Sequence, residues 1–377
     1  MASTAADTTL IKCVVWDIDN TLLDGVYLES GERPPPANPA LLGVVRELAG
    51  RGILQAVASK NPPAAAEYVE QLAGLDFAAA ECGWDAKPDA LGRIAAGLGV
   101  ADVEMAFVDD DMLERAEVAA ALPGVLVLTP EDAAEAASWP QFSPPVVTAE
   151  ARRRGQLYAE RSRRQTAASD FTGSRAEFLR HVGTRVTISA AAAADLPRLY
   201  ELSLRTHQLN SSGEPVTEEE LGRLLSSAGH EVTTVRLADD FGDDGLVGAA
   251  VLGLTEADET PGATVPAART APLAMTVPLV MMSCRALGRG TLDALLAWLC
   301  RSAAAAGADF LQVPCRLTDR NVPFRLALAG AGFRAEAGRR APDGRVLFSR
   351  PLTDALTGAL AGDLPAVPDY VVTPGQR

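Results

Sequence analysis

The sequence predicts an α/β protein in two parts: a doubly wound parallel sheet with no large cap, followed by a mixed α/β domain. Three observations carry this. Apolar runs alternate with stretches of helical spacing from Cys13 to Leu128, the rhythm of strands joined by crossover helices. Several of those runs end in acidic or small polar residues, where open α/β sheets place their ligands. From Thr184 the pattern changes, with a hairpin-like pair of apolar runs and then a long helix. At 377 residues the chain exceeds the roughly 250 to 300 at which a single core stops growing. The expected division is 1–145, a helical connector over 146–183, a second domain over 184–350 and a tail over 351–377.

The organising stretch is Val14 to Leu22, an apolar run that delivers Asp17 and Asp19 at the end of a buried strand, with Thr21 just beyond. One carboxylate beside a divalent cation can attack phosphorus, the second can move the leaving-group proton, and the hydroxyl can bond a phosphoryl oxygen. Leu22 to Pro39 is too short for an inserted cap domain. Ala40 to Ala49 reads as a helix, and Ile53 to Ala58 as a second strand ending in Ser59, Lys60 and Asn61. Pro62 and Pro63 suit the first turn of the next helix. Phe77 to Glu81 is a weaker strand, and Lys87 stands just before Pro88 at a helix start. Ala106 to Val108 leads into Asp109, Asp110 and Asp111, the last a helix cap for the segment from Met112, and Val125 to Leu128 gives one more strand.

Taken singly, Ser59 reads as a cap, Lys87 as a surface charge and the acidic triplet as a solvated turn. Taken in order, an Asp-x-Asp-x-Thr run, a Ser at a strand end, a Lys and then an Asp-Asp strand end make a phosphoryl-transfer site. These four features resemble the motifs of the haloacid dehalogenase (HAD) superfamily. The resemblance implies Asp17 as nucleophile, Asp19 as acid/base, and Thr21, Ser59 and Lys87 on the phosphoryl oxygens. It also implies Mg²⁺ held by Asp17, Asp19, Asp109 and Asp110. A small hard cation prefers such oxygens.

Ser138 to Pro145 breaks the helical pattern, and Glu150 to Arg164 reads as a charged connecting helix. Beyond it come a strand over Arg185 to Ile188, helices over Ala193 to Thr206 and Glu218 to Ser227, and a hairpin of Val232 to Leu237 with Leu246 to Leu254. The acidic segment between them, Ala238 to Gly245, lacks the spacing of a calcium loop and reads as an ordinary turn. Pro278 to Ser283 then forms a strand, Arg285, Gly288 and Gly290 an Arg-x-x-Gly-x-Gly loop, and Thr291 to Ala306 a helix. This arrangement resembles the GNAT acyltransferases, which implies that Arg285, Gly288, Arg289 and Gly290 grip a pantetheine arm or its phosphates.

Cys284 lies at the entrance of that loop, where an incoming thioester would pass, and is the candidate nucleophile. His207 is either its general base or a structural hydrogen-bonding residue. Cys13 and Cys300 read as core residues, and Cys82 and Cys315 remain unassigned. Five scattered cysteines exclude a disulfide framework and a zinc site. A charge of 34 basic minus 49 acidic residues, −15, argues against nucleic acid and anionic membranes as partners. With no signal-like start and no apolar run near the ~18 residues of a membrane span, the expected location is the cytoplasm. The abundance of Ala, Gly and Arg fits a bacterial sequence of high GC content.

Together the two halves closely resemble the FkbH-like (HAD class IIIC) proteins of polyketide and nonribosomal peptide assembly. That resemblance implies conversion of D-1,3-bisphosphoglycerate, a small phosphorylated three-carbon metabolite, into a glyceryl thioester on Cys284. The acyl unit then passes to the phosphopantetheine arm of an acyl carrier protein. Leu23, Asp24 and Gly25 stand where many members carry Trp-Gly-Gly, and His207 replaces a common Asn. Two alternatives are a plain Mg²⁺-dependent phosphatase whose GNAT-like half serves recognition, and a carrier-binding module with an idle phosphatase site.

Overall fold

The computed structural model describes residues 9–31, 33–256, 273–353, 365 and 368–372. The chain forms two compact units, Met1–Ser169 and Asp170–Arg377. The division falls inside the stretch expected as a connector.

In the first unit, β1 (Cys13–Trp16), α1 (Pro39–Gly50), β2 (Leu54–Ser59), α2 (Pro63–Ala73), β3 (Ala79–Cys82), α3 (Lys87–Leu98), β4 (Met105–Val108), α4 (Met112–Ala121) and β5 (Leu126–Leu128) follow one another in the expected rhythm. The five strands form one parallel sheet in the order β3-β2-β1-β4-β5. The central strands β1, β2 and β4 are buried along their whole length, as apolar runs covered on both faces must be. Local chemistry fixes the helix ends. Asn38 caps α1, Gly74 and Gly99 close α2 and α3 in the left-handed conformation, and Asp111 caps α4 through Leu113 N. β3 starts two residues later than expected, because Phe77 and Ala78 pack in the core ahead of it. Segment 22–38 is a small flap: Leu23 bridges Ala37, and Asp24 N donates to Pro36 O.

α5 (Pro130–Ala136), α6 (Ala149–Arg152) and α7 (Arg154–Asp170) complete this unit. Both α6 and α7 pack on it: in α7 the Tyr158 hydroxyl donates to Leu98 O, and in α6 Ala151 lies so close to Gly52 that a Cβ there would be 2.8 Å from it.

The second unit contains α8 (Arg175–His181), β6 (Arg185–Ala190), α9 (Leu196–Arg205), α10 (Glu218–Ser226), β7 (His230–Asp239), β8 (Gly242–Glu256), β9 (Leu273–Met282), α11 (Thr291–Ala305), β10 (Phe310–Cys315), α12 (Val322–Gly330), β11 (Arg334–Arg340), β12 (Val346–Pro351) and β13 (Val371–Val372). Its sheet is mixed, in the order β11-β12-β10-β9-β8-β7-β6-β13. β9 and β10 are its parallel pair in the middle, but they are in register only from Phe310↔Ala274 to Gln312↔Thr276. Beyond Val277 stands Pro278, which has no N–H to give, and the two strands part. The core lies under this sheet against α11 and α12. In the stretch expected as a tail, residues 354–364, the site of a helix candidate, lie outside those described. Further on, β13 runs parallel to β6.

Candidate active site

The parallel register builds the site. Trp16 pairs with Val108 on one side and Val57 on the other, so the next residues, Asp17 and Asp109, emerge side by side at the carboxyl edge. Asp17 N donates to Val108 O at 2.9 Å and locks that placement. Lys87, at the first turn of α3, reaches in from the next crossover. Its ammonium lies 2.5 Å from Asp17 Oδ1, 3.0 Å from Asp109 Oδ2 and 2.8 Å from Ala58 O. All three groups are nearly solvent-free. Asp17, Asp109 and the more exposed Asp110 each bring one oxygen within 4.8 Å of the others, a set that fits a metal ion.

The electrostatics follow from crowding anions away from water. Burial pushes the Asp17 carboxyl up to about 7, with Asp109 adding to the shift and Lys87 opposing it. Burial likewise raises Asp109 and, with help from Asp109, Asp110. Burial disfavours the Lys87 charge, yet the two carboxylates outweigh it and hold this amine above its ordinary value. Three carboxylates around one lysine leave negative charge for a divalent cation to balance.

Two side chains make contacts that the sequence does not foretell. Asp19 is not in the metal-type cluster. Beyond Asp17 the chain makes one wide turn over Ile18–Leu22 with Asn20 at φ 51, which points the Asp19 carboxylate elsewhere. Its Oδ1 accepts from Tyr27 N at 2.9 Å and its Oδ2 from Asn61 Nδ2 at 3.0 Å. Lys87 is the counter-ion of two carboxylates, Asp17 and Asp109. Ser59 and Thr21 are both buried beside this edge. Ser59 Oγ accepts from Asn61 Nδ2 at 3.0 Å, while Thr21 Oγ1 has no protein partner. Asn61 was not among the expected site residues, although it holds Asp19 and Ser59 with one amide. Its signal was present as the last of three polar residues at the β2 terminus. Arg115, whose guanidinium donates to Asp109 O at 2.6 Å, gave no such signal.

In the second unit Cys284 is half-buried in a short turn, Cys284–Ala286, that directly follows β9. The segment after α9 runs along the end of β9: Met282 N donates to Leu209 O at 2.8 Å and Ser211 N to Val280 O at 2.9 Å. Half-buried His207 therefore belongs to a loop anchored two residues before Cys284. Buried Asn321 ties this loop to the far side, donating to Asn210 O at 3.2 Å and Arg316 O at 2.7 Å.

The loop expected to hold pantetheine phosphates carries both its arginines buried. Arg285 and Arg289 are turned inward onto Asp244 and Asp239, the acidic residues of the β7–β8 hairpin. Gly288 and Gly290 adopt φ of 80° and 65°, and a Cβ on Gly290 would lie 2.4 Å from the Tyr370 hydroxyl. The hairpin turn is thus no ordinary one. Cys13 and Cys300 are core residues, with burial raising the Cys13 thiol to about 12. Cys315 is also buried, its thiol raised by that burial to about 11.

No protein-family profile matches the chain, and no curated protein matches it. Among solved structures, it is similar to the N-terminal part of a Bacteroides fragilis protein containing a phosphatase domain complexed with Mg. The identity is 29%, over 34% of this chain and 38% of that one, with a TM-score of 0.29. It is also similar to 3-deoxy-D-manno-octulosonate 8-phosphate phosphatase from Moraxella catarrhalis, solved with magnesium, phosphate and the sugar acid (24%, 29% and 62% covered, TM-score 0.25). A third is the ribosomal-protein-S18-alanine N-acetyltransferase from Escherichia coli (16%, 48% and 99% covered, TM-score 0.31). The chain spans well under two thirds of the first of these. The fold class is α/β, a five-stranded parallel sheet followed by a mixed eight-stranded sheet among the described residues.

Proposed function

We propose that the chain is a Mg²⁺-dependent phosphatase coupled to acyl transfer. It forms a glyceryl thioester on Cys284 from D-1,3-bisphosphoglycerate, removes phosphate and loads the acyl unit on an acyl carrier protein. The observation that carries the phosphatase half is the buried set of Asp17, Asp109 and Lys87, with Asp110 beside it and Thr21 Oγ1 unpartnered. The donor set fits Mg²⁺: all oxygen, short of positive charge, and open on the Asp110 side. Bound by Asp17, Asp109 and Asp110, the ion would draw together the nucleophile and a phosphoryl oxygen.

This chain's residues do the rest. Asp17 attacks phosphorus, and the bond from phosphorus to the leaving oxygen breaks as Asp19 gives that oxygen a proton. Water then attacks the aspartyl phosphate while Asp19 takes a proton back, and Asp17 is restored. Thr21 and Ser59 supply hydroxyls to the phosphoryl oxygens. For acyl transfer, the Cys284 thiolate displaces the acyl phosphate, phosphate leaves, and the thiol of the carrier arm takes the acyl group in a second thioester exchange. His207, on the loop bonded to that strand end, is the candidate base. These steps assume a cytoplasmic enzyme.

A second reading, a phosphatase whose GNAT-like half only recognises the substrate, gains support from the inward-turned Arg285 and Arg289. Intact-protein mass spectrometry after incubation with Mg²⁺ and D-1,3-bisphosphoglycerate separates the two. The first reading expects a glyceryl adduct that is absent in Cys284→Ala and keeps its phosphate in Asp17→Asn. Phosphate release with no adduct in any variant would leave only the second.

A further inference from the structure

At the carboxyl edge of the first sheet, one buried amide holds two of the side chains assigned to phosphoryl transfer. Asn61, 1% exposed, stands just past the end of β2 and is followed by Pro62 and Pro63, which restrict the backbone there. Its Nδ2 has two hydrogens, and it donates to Asp19 Oδ2 and to Ser59 Oγ, each at 3.0 Å. The other Asp19 oxygen, Oδ1, accepts from Tyr27 N in the flap at 2.9 Å. The neighbouring lysines are engaged elsewhere, Lys87 with Asp17 and Asp109, Lys60 with Glu114. Uncharged donors from two separate segments, the flap and the end of β2, therefore hold the Asp19 carboxylate from both sides.

The far side of the same amide supplies a second observation. Asn61 Oδ1 is buried and has no protein partner. An orphaned buried acceptor is costly, and an apolar side chain of the same shape would avoid that cost. Turning the amide over would bring Oδ1 against the Asp19 carboxylate, oxygen to oxygen. The contact with Asp19 thus fixes which way the amide faces, and the fold keeps the orphan in order to keep that contact. Because Ser59 Oγ accepts from Asn61, the hydroxyl hydrogen of Ser59 stays free for a phosphoryl oxygen.

We propose that Asn61 is a positioning residue: it keeps the Asp19 carboxyl out of the cluster of Asp17, Asp109 and Asp110 and in the place from which it serves the leaving oxygen. The inference rests on the phosphatase reading. In the first step a bond forms between an Asp17 oxygen and phosphorus, the bond from phosphorus to the leaving oxygen breaks, and that oxygen takes the Asp19 proton. An alkyl leaving group needs that proton, because an alkoxide is too basic to depart alone. A nitrophenolate departs without it. Loss of the amide should therefore be felt in proportion to how much the leaving group depends on an acid.

The test is steady-state kinetics of the full chain with Mg²⁺ on 3-phosphoglycerate, an alkyl phosphate, and on p-nitrophenyl phosphate. Native protein is compared with Asn61→Leu, Asn61→Ala and Asp19→Asn. Asn61→Leu keeps the approximate shape and removes the orphaned acceptor, so its melting temperature should not fall. Its kcat/KM should drop roughly hundredfold on 3-phosphoglycerate and less than about tenfold on p-nitrophenyl phosphate, through kcat and not KM. Asp19→Asn should show the same split, more deeply. Equal losses on both esters, or no loss on either, would overturn the proposal. If Asn61→Leu does not fold, Asn61→Ala decides; if neither folds, the amide is a structural brace and the proposal falls. Native protein that releases phosphate from neither ester sinks the phosphatase reading and this inference with it. A split in Asp19→Asn that neither Asn61 variant shares sinks the positioning role alone.

Discussion

Asp17 shows how one side chain couples chemistry to stability. Its ordinary value of 3.8 is raised to about 7 in the folded, metal-free protein, so the folded state holds the proton more tightly than the unfolded chain. The resulting stability is fully present below 3.8 and disappears as pH rises through about 7, where the carboxylate is charged and buried. Asp17→Asn has no charge to bury. It should abolish phosphatase activity yet raise the metal-free melting temperature relative to native protein above pH 7, with the difference vanishing towards pH 4. Mg²⁺ should stabilise the native chain increasingly as pH rises through the same window and leave the variant little changed; parallel thermal melts would show both. The residues Asp17, Asp109, Ser59 and Lys87 were legible because each sits at a predictable strand or helix end. The Asp19 contacts were not, since they depend on the turn at Asn20 and on Asn61, which is 42 residues away in the chain.

At the scale of elements, local spacing found the alternating strands and helices because apolar period and cap residues are local signals. The hairpin of β7 and β8 was found too, but its acidic end was misread. Asp239 and Asp244 meet Arg289 and Arg285 across 41 to 50 residues, a pairing that no window of sequence contains. The strands β10 to β12 were passed over because the reading there followed the glycine loop and its helix. The segment after α9 is another such case. It reads as a loop, yet it serves as a short strand between β9 and the end of β10, pinned by Asn321. Asn321→Ala would strip the donor from Asn210 O and Arg316 O in a buried site, a loss of about 1–3 kcal/mol. Chemical denaturation should report it, and hydrogen exchange should localise it to the amides of Ser211 and Arg316. Unchanged exchange at those amides would mean the strand pairing alone holds the segment.

For the whole molecule, the alternation of elements gave the class of each unit, whereas the order β3-β2-β1-β4-β5 and the placement of β13 depend on which edges meet in space. Among the described residues no helix is long and apolar enough to cross a membrane. The division into two units also lies 24 residues beyond the expected end of the first domain at 145, because α7, polar in sequence, still packs through Leu157 and Tyr158. A polar helix is a poor marker of a boundary when it packs through buried Arg154, Glu160 and Arg164 as well as Leu157 and Tyr158.

The last short strand has a practical consequence. β13 covers the edge of β6, with Val186 N donating to Tyr370 O, while Arg180 holds Asp369. A protease that trims the chain back to Pro368 would bare the β6 ladder, and a bared ladder recruits the nearest extended chain, including that of a sister molecule. Trimmed protein should therefore run as concentration-dependent oligomers in size-exclusion chromatography while untrimmed protein does not, and its shelf life would be set by how well that end is kept intact.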